Sequence, residues 1–215
     1  MAEEWCRHRG EKVLLVEGVT DCHVVLALCK AHKVPKNFGI YECGSDHKVL
    51  QQLNALISAP TPPNIIGVLM DADSPDLAGR WRKIESKLKD YDYTLPTAPE
   101  ERGTIVEPVT ELSRLGFWLM PNNRLDGKIE DFCIEMIEPN AIATVVQCLQ
   151  IAEDNQCTSF KPVHRSKAIV HTYLAWQDEP GKPLGQSITA HTLRPETETA
   201  KAFTNWLTAL FRSYE

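Results

Sequence analysis

The sequence predicts an α/β fold in which helices flank a central, mainly parallel β-sheet. Three short apolar runs have the length of strands, at residues 12–18, 38–44 and 65–73. They are apolar almost without interruption, which is typical of strands covered on both faces, and such strands belong to parallel sheets. Helical stretches alternate with them, and this alternation favours right-handed βαβ units.

Each run is followed by a stretch with helical character. Residues 21–33 follow the first strand, and residues 45–57 follow the second, with Ser45 or Asp46 as the N-cap. After the third strand, residues 75–90 carry one apolar helical face. That face consists of Leu77, Trp81, Ile84 and Leu88.

The second half of the chain is predicted to be mostly helical. A proline-containing connection at 92–102 leads to two further short strands at 104–108 and 114–120. Helical stretches then follow at 127–137, 141–153, 166–176 and 196–212. We therefore expect an α/β core over residues 1–126 and a C-terminal helical annex over residues 127–215 that packs on it.

Composition excludes several classes of protein. The 215 residues are 43% hydrophobic and 24% charged, values of a globular chain rather than a disordered or fibrous one. No apolar run approaches the roughly 18 residues of a membrane span, and the N-terminus lacks the apolar segment of a secretory signal. The net charge of −6 gives no bulk attraction to nucleic acid. We expect a cytoplasmic protein with no membrane partner.

The cysteine pattern indicates thiols rather than cross-links or zinc ligands. Seven cysteines are an odd number, and none of them forms a CxxC pair. In a chain without a secretory signal this pattern predicts reduced thiols, mostly as small core residues. The cysteines and histidines also lack the spacing that a structural zinc site needs.

Carboxylates stand where two of the predicted strands end. Glu17 ends the first strand, and Asp71 and Asp73 end the third. Functional sites of open parallel sheets lie at the carboxyl ends of the strands. Because side chains alternate along a strand, residues 71 and 73 point to the same face. Crowded carboxylates repel one another, and a divalent cation relieves the repulsion. Mg²⁺ prefers a few carboxylates together with waters and substrate phosphate oxygens.

A Glu-Gly turn or a lone DxD is common outside metal sites, so the prediction depends on both motifs ending apolar strands. We expect Glu17, Asp71 and Asp73 to bind Mg²⁺ or Mn²⁺. Asp21 lies in the first turn of the next helix. It is either an outer metal ligand or a carboxylate favoured there by the helix dipole.

The two motifs resemble the Toprim domain. VEGVTD at residues 16–21 is followed about fifty residues later by an apolar strand that ends in DAD at 71–73. Toprim is the Mg²⁺-binding module of topoisomerases, bacterial primases, OLD-family nucleases and the ribonuclease that matures 5S ribosomal RNA. The motif pair covers roughly residues 12–121. Three further stretches, at 129–132, 167–188 and 203–211, are similar to a bacterial family of Toprim-like proteins without an established function.

The resemblance implies a Toprim-like Rossmannoid fold and assigns roles to the acidic residues. Glu17 would act as a general acid or base or as a metal ligand, while Asp71 and Asp73 would hold Mg²⁺. A topoisomerase also needs a nucleophilic tyrosine on a separate domain, and a primase needs a zinc-binding module. The 215 residues leave no room for either. Among the activities of Toprim proteins, this leaves hydrolysis of phosphodiesters or phosphate binding without catalysis.

A two-metal nuclease needs further carboxylates and often a lysine near the attacking water. Glu130 and Asp131 are the candidates for the carboxylates, since an acidic pair follows the DxD region in OLD-type nucleases. The alternative is that both residues only stabilise the first turn of a helix. Lys167 is the candidate catalytic lysine, and His171 lies one helical turn further on.

A basic stripe on the helix after the DxD motif is the candidate phosphate-binding surface. It consists of Arg80, Lys83 and Lys87, which fall beside the apolar face of that helix. Such a stripe could contact a nucleic-acid backbone, or it could be an ordinary solvated surface. Trp176 could stack on a base, although core packing is the commoner role of a tryptophan after an apolar helix.

Two functions remain open at this point. The first is a Mg²⁺-dependent nuclease that acts on DNA or RNA, and the acidic residue set favours it. The second is a non-catalytic phosphate-binding or interaction module that works with a separate partner such as an ATPase, and the acidic net charge favours this one. The chain contains no GxxxxGK[ST] motif, so the ATPase would be another protein.

Overall fold

A computed structural model describes residues 5–8, 10–73, 76–109 and 112–212. Within this part of the chain five strands form one sheet: β1 Lys12–Val16, β2 Gly39–Glu42, β3 Ile65–Asp71, β4 Thr104–Val106 and β5 Arg114–Met120. The strand order is β2-β1-β3-β5-β4. Only β4 is antiparallel to its neighbour, and the other pairs are parallel. The predicted α/β fold with a mainly parallel sheet is confirmed.

Helices connect the parallel strands and make up most of the C-terminal part. They are α1 Val19–Ala31, α2 Asp46–Ile57, α3 Leu77–Leu88, α4 Ile129–Ile134, α5 Pro139–Asp154, α6 Arg165–Ala175, α7 Leu184–Thr189 and α8 Glu198–Leu210, with a 3-10 turn at Pro162–His164. The Ser45 side chain accepts the Lys48 N–H and caps α2 as expected. The short helix α7 was not expected, because six residues show too little periodicity to be recognised.

Both faces of the sheet are buried, which explains the continuous apolar runs. Along β1, Leu14 and Val16 face a cluster formed with α1 and the C-terminal helices. Val13 and Leu15 face a second cluster formed with α2 and α3. The C-terminal helices therefore share a core with the sheet. The division into two domains at residue 126 stays a prediction.

Helix α8 packs directly on the sheet above two paired glycines, which leave room for its side chains. Gly67 of β3 pairs with Gly116 of β5. A Cβ atom added at Gly116 would lie 2.4 Å from Leu210 of α8, so a larger side chain cannot fit there. Nearer the start of α8, Phe203 and Trp206 pack against the ring of Trp118. No helix of the described residues is long and apolar enough to cross a membrane.

The expectation that every cysteine is a reduced thiol was wrong for one pair. Cys6 and Cys22 form a disulfide, while the other five cysteines are not disulfide-bonded. The N-terminal segment runs along β2, where the Glu42 N–H donates to the Cys6 carbonyl at 2.8 Å. This placement brings Cys6 to the first turns of α1. Pairing depends on Cα separation in the fold, which the spacing of the two cysteines along the chain does not reveal.

Replacing Cys6 should test this bond. We expect Cys6→Ser to lower the free energy of unfolding by about 3 kcal/mol, because the 16-residue separation between the cysteines closes a loop in the unfolded chain. Urea unfolding measures the change, with Cys148→Ser at an exposed free cysteine as the matched control. A reductant should lower the stability of the wild-type protein to that of Cys6→Ser. Titration of seven thiols in the unreduced, denatured protein would contradict the assignment.

Candidate functional site

The carboxyl ends of β1 and β3 are joined by a hydrogen bond from backbone to side chain. The two strands are parallel neighbours, with Leu15 opposite Val68. Glu17 and Asp71 therefore leave the sheet at the same edge. The Asp71 N–H donates to Oε1 of Glu17 at 2.9 Å. The structure thus brings together the two carboxylates that the sequence places at this edge.

The loop before α4 is fastened to the end of β3. The Ala72 N–H donates to the Gly127 carbonyl at 2.8 Å. Oδ1 of Asp71 accepts the N–H of Ile129, the first residue of α4, at 3.0 Å. These two bonds place Glu130, the next residue, beside the cluster, where its charge acts on Asp71.

Asp73 is held by a lysine that the sequence did not single out. Nζ of Lys128 lies 2.7 Å from Oδ2 of Asp73, and the two side chains are only 20% and 24% exposed. Lys128 directly precedes the IEDF stretch that includes Glu130. Nothing in the local pattern indicates that its side chain reaches an aspartate so far back along the chain.

Asp21 is a buried capping residue of α1. Its Oδ2 accepts the Gly18 N–H at 3.0 Å, at the point where the helix begins. Asp21 thus lies in the first turn of α1, the position that the helix-dipole alternative gave it. The same carboxylate lies close enough to Glu130 and Asp71 for their charges to interact. Its role as an outer metal ligand stays a prediction.

Burial and mutual repulsion keep this cluster from ionising fully. Burial, together with the charges of the neighbouring carboxylates, raises the pKa of Asp71 to about 9. These neighbours are Asp21, Glu17, Asp73 and Glu130. Burial also raises the pKa of Glu17 to about 7 and that of Asp21 to about 6. At neutral pH the metal-free cluster therefore retains protons that carboxyl groups in water have lost.

Arg80 does not lie on the exposed basic stripe where the sequence placed it. The residue is 1% exposed. Its Nε donates to the Asp71 carbonyl at 2.9 Å, and its Nη1 pairs with Oδ2 of Asp46 at 2.7 Å. Arg80 borders the apolar face of α3, next to Ile84, and its long side chain turns inward. It ties the end of β3 to α2 and is not presented to a phosphate.

Lys83 and Lys87 are exposed as expected. Together with Arg82, they line one side of a surface groove of about 470 Å³ between α2 and α3. His47 of α2 lines the same groove. Arg82, which the sequence pattern did not indicate, is exposed immediately before Lys83.

Asp131 is a structural residue. Its Oδ2 accepts the Lys128 N–H at 2.8 Å, and its Oδ1 accepts the Ser166 hydroxyl of α6. The helix-stabilising alternative is thus observed for Asp131. Because the second bond crosses to α6, it also fixes the position of that helix beside α4.

Lys167 is exposed near the start of α6. One turn further along, burial lowers the pKa of His171, the Lys167 charge lowers it further, and the Glu130 charge opposes the shift. This face of α6 is therefore turned towards Glu130. A catalytic role of Lys167 stays a prediction.

Trp176 is 49% exposed, so the expectation that it packs in the core was wrong.

The carboxylates are not already arranged around an ion position. In the part of the chain that the structure describes, no three Asp, Glu, His or Cys side chains form a group that could hold a metal. Oε1 of Glu17 and Oδ1 of Asp71 accept backbone N–H groups, and Asp73 is paired with Lys128. Binding of an ion at this edge would require some of these contacts to change.

Fold and site together define a mixed α/β protein with a carboxylate cluster at the carboxyl edge of its parallel strands. The chain belongs to the family described as "Protein of unknown function (DUF3226)", whose model matches residues 11–212. No curated protein matches the chain, and neither does any solved structure. The family match spans both the sheet and the C-terminal helices.

The raised pKa of Asp71 makes the stability of the metal-free protein depend on pH. The folded protein holds a proton on Asp71 up to about pH 9, whereas the unfolded chain releases it near its ordinary pKa of about 3.9. Stability therefore falls as the pH rises through this window. Asp71→Asn removes the ionisable group and keeps an Oδ1 acceptor for the Ile129 N–H.

We expect Asp71→Asn to raise the free energy of unfolding at pH 8 and to change it little at pH 4. Urea unfolding in EDTA between pH 4 and pH 9 measures the difference. Asp92→Asn makes the same change at an exposed carboxylate and serves as the control. A loss of stability in Asp71→Asn at pH 8, or a difference that is constant across the pH range, would contradict the interpretation.

Proposed function

We propose that this protein is a Mg²⁺- or Mn²⁺-dependent nuclease that hydrolyses phosphodiester bonds of DNA or RNA at the carboxyl edge of β1 and β3. One observation carries the proposal: carboxylates from separate elements converge there and raise one another's pKa. The resemblance of VEGVTD and DAD to the Toprim motifs supports it. Strongly shifted carboxyl groups at a strand-end site are typical of functional centres.

The donor set fits a hard divalent cation. All of the side chains in the cluster offer carboxylate oxygens, and Mg²⁺ takes one or two such ligands together with waters and substrate phosphate oxygens. Asp71 and Asp73 are the proposed principal ligands, with Glu17 and Glu130 beside them and Asp21 as an outer ligand. A divalent cation supplies Lewis-acid polarisation of a phosphoryl oxygen.

Glu17 is the proposed general base. Its pKa of about 7 lies close to neutral pH, which is the range in which a carboxylate accepts a proton and gives it up again most effectively. The hydrogen bond from the Asp71 N–H to Oε1 fixes the orientation of the carboxylate. The second oxygen, Oε2, would accept the proton of the attacking water.

The groove between α2 and α3 is the proposed phosphate-binding surface. Lys83 and Lys87 carry positive charge along it, and Arg82 adds a third cation. Asp46, which also lines the groove, is neutralised by Arg80. The same Arg80 contacts the Asp71 carbonyl, so the groove adjoins the carboxylate cluster. A nucleic-acid backbone bound there would pass close to the proposed metal ligands.

One observation favours the second function, a module that works with a partner such as an ATPase. Asp73 is paired with Lys128 rather than open to an ion. A partner that moves the loop at 127–130 could open the site.

Replacing Glu17 tests the nuclease. Labelled single- and double-stranded DNA and RNA are incubated with the protein in Mg²⁺, Mn²⁺ or EDTA. We expect cleavage with either metal and none in EDTA. Glu17→Gln should reduce the rate by about 10²–10⁴-fold, because an amide cannot accept a proton as a general base does. Glu11→Gln makes the same change just before β1, at the opposite end of that strand, and should cleave normally.

Metal binding is followed in parallel by thermal unfolding. Mg²⁺ should raise the melting temperature of the wild-type protein and of Glu17→Gln, since a ligand of the folded state stabilises it. The Asp71→Asn, Asp73→Asn double variant should show no such rise. Cleavage that survives EDTA or persists in Glu17→Gln would contradict the proposal. A wild-type protein that binds metal and cleaves no substrate would favour the partner-dependent module.

A further inference from the structure

Lys128 places an ammonium group inside the carboxylate cluster. Its Nζ lies 2.7 Å from Oδ2 of Asp73, and both side chains are about four-fifths buried. The charges of Asp71 and Glu130 also act on this ammonium group. Arg80, another cation near this edge, is committed to Asp46 and to the Asp71 carbonyl. The Lys128 side chain therefore supplies the positive charge that Asp73 faces.

Hydrogen bonds fix the backbone around Lys128, and among the described residues only the ion pair with Asp73 is known to hold its ammonium group. Its own N–H donates to Asp131 at 2.8 Å, and the following N–H, of Ile129, donates to Asp71 at 3.0 Å. The preceding carbonyl, of Gly127, accepts the Ala72 N–H. A lysine side chain has a flexible four-carbon stem. The ammonium group can thus leave Asp73 while the loop stays attached to β3.

An ion on Asp73 and the Lys128 ammonium compete for the same carboxylate. Mg²⁺ binds carboxylate oxygens at about 2.1 Å. An ion on Oδ2 would therefore lie at most about 5 Å from Nζ in its present position. Two cations at this distance in a partly buried site repel strongly. This repulsion weakens the ion pair between Lys128 and Asp73, and the flexible stem allows the ammonium group to move away.

We propose that Lys128 is a built-in counter-cation, which holds Asp73 in the metal-free protein and is displaced from it by the divalent cation. The competition between the two cations sets the metal affinity of the cluster. In the metal-free protein, the ammonium group also offsets the repulsion between Asp73 and the neighbouring carboxylates. This inference rests on the proposed metal site.

Calorimetric titration with Mg²⁺ alone, without nucleic acid, tests the exchange. Lys128→Met removes the competing charge and should bind Mg²⁺ at least tenfold more tightly than the wild-type protein. Lys128→Arg keeps a cation and should bind no more tightly than wild type. Lys161→Met, at an exposed lysine, is the matched control and should leave the affinity unchanged. Cooperative urea unfolding shows that each variant is folded.

A second measurement uses the wild-type protein and does not depend on the variants. Lysines are acetylated with and without Mg²⁺, and the rate at each site is read by mass spectrometry. Mg²⁺ should accelerate labelling of Lys128, which loses its partner, and leave Lys161 unchanged. Slower or unchanged labelling of Lys128 would overturn the inference.

The calorimetric results separate the inference from the proposed function. Unchanged or weaker Mg²⁺ binding by Lys128→Met, while the wild type binds, would overturn the inference and leave the metal site standing. Absence of Mg²⁺ binding in both proteins would overturn the metal site and the inference with it.

Discussion

The parallel pairing of β1 and β3 forces Glu17 and Asp71 to the same edge of a sheet that is covered on both faces. Burial and proximity make their full ionisation costly. The surrounding contacts offset part of this cost. The Asp71 N–H faces Glu17, the Ile129 N–H faces Asp71, and the Lys128 ammonium faces Asp73. In the metal-free protein, the carboxylates avoid the rest of this cost by keeping protons. We propose that a divalent cation replaces those protons in the active protein.

The same edge organises much of the molecule around it. Arg80 connects the end of β3 to α2 and thereby places the basic groove beside the cluster. The loop at 127–130 connects β3 to α4, and Asp131 carries the connection on to Ser166 of α6. The C-terminal helices are therefore attached to the site as well as to the core. An α/β sheet of this kind supports many activities, so the functional proposal depends on these side chains rather than on the fold.

The parts that the sequence predicted are those with a local signal. Continuous apolar runs predicted β1 and β3, and the residues that end these strands had to meet once the strands were neighbours. The contacts it missed join distant segments. Asp73 and Lys128 are far apart in the chain, as are the ends of the Arg80–Asp46 pair. Cys6 and Cys22 likewise carry no spacing signal. Arg80 was misplaced because helical periodicity gives a direction around α3 but not the path of a long side chain at the border of its apolar face.

Calorimetry of Mg²⁺ binding at pH 7, repeated in buffers of different ionisation enthalpy, tests the central claim most directly. The pKa of Asp71 is about 9 and that of Glu17 about 7, and carboxyl ligands must lose their protons to bind a metal. We expect the wild-type protein to release about one proton for each Mg²⁺ bound. Asp71→Asn should lose most of this proton release. Mg²⁺ binding without proton release, or no binding at all, would contradict the claim that this carboxylate cluster is a metal site.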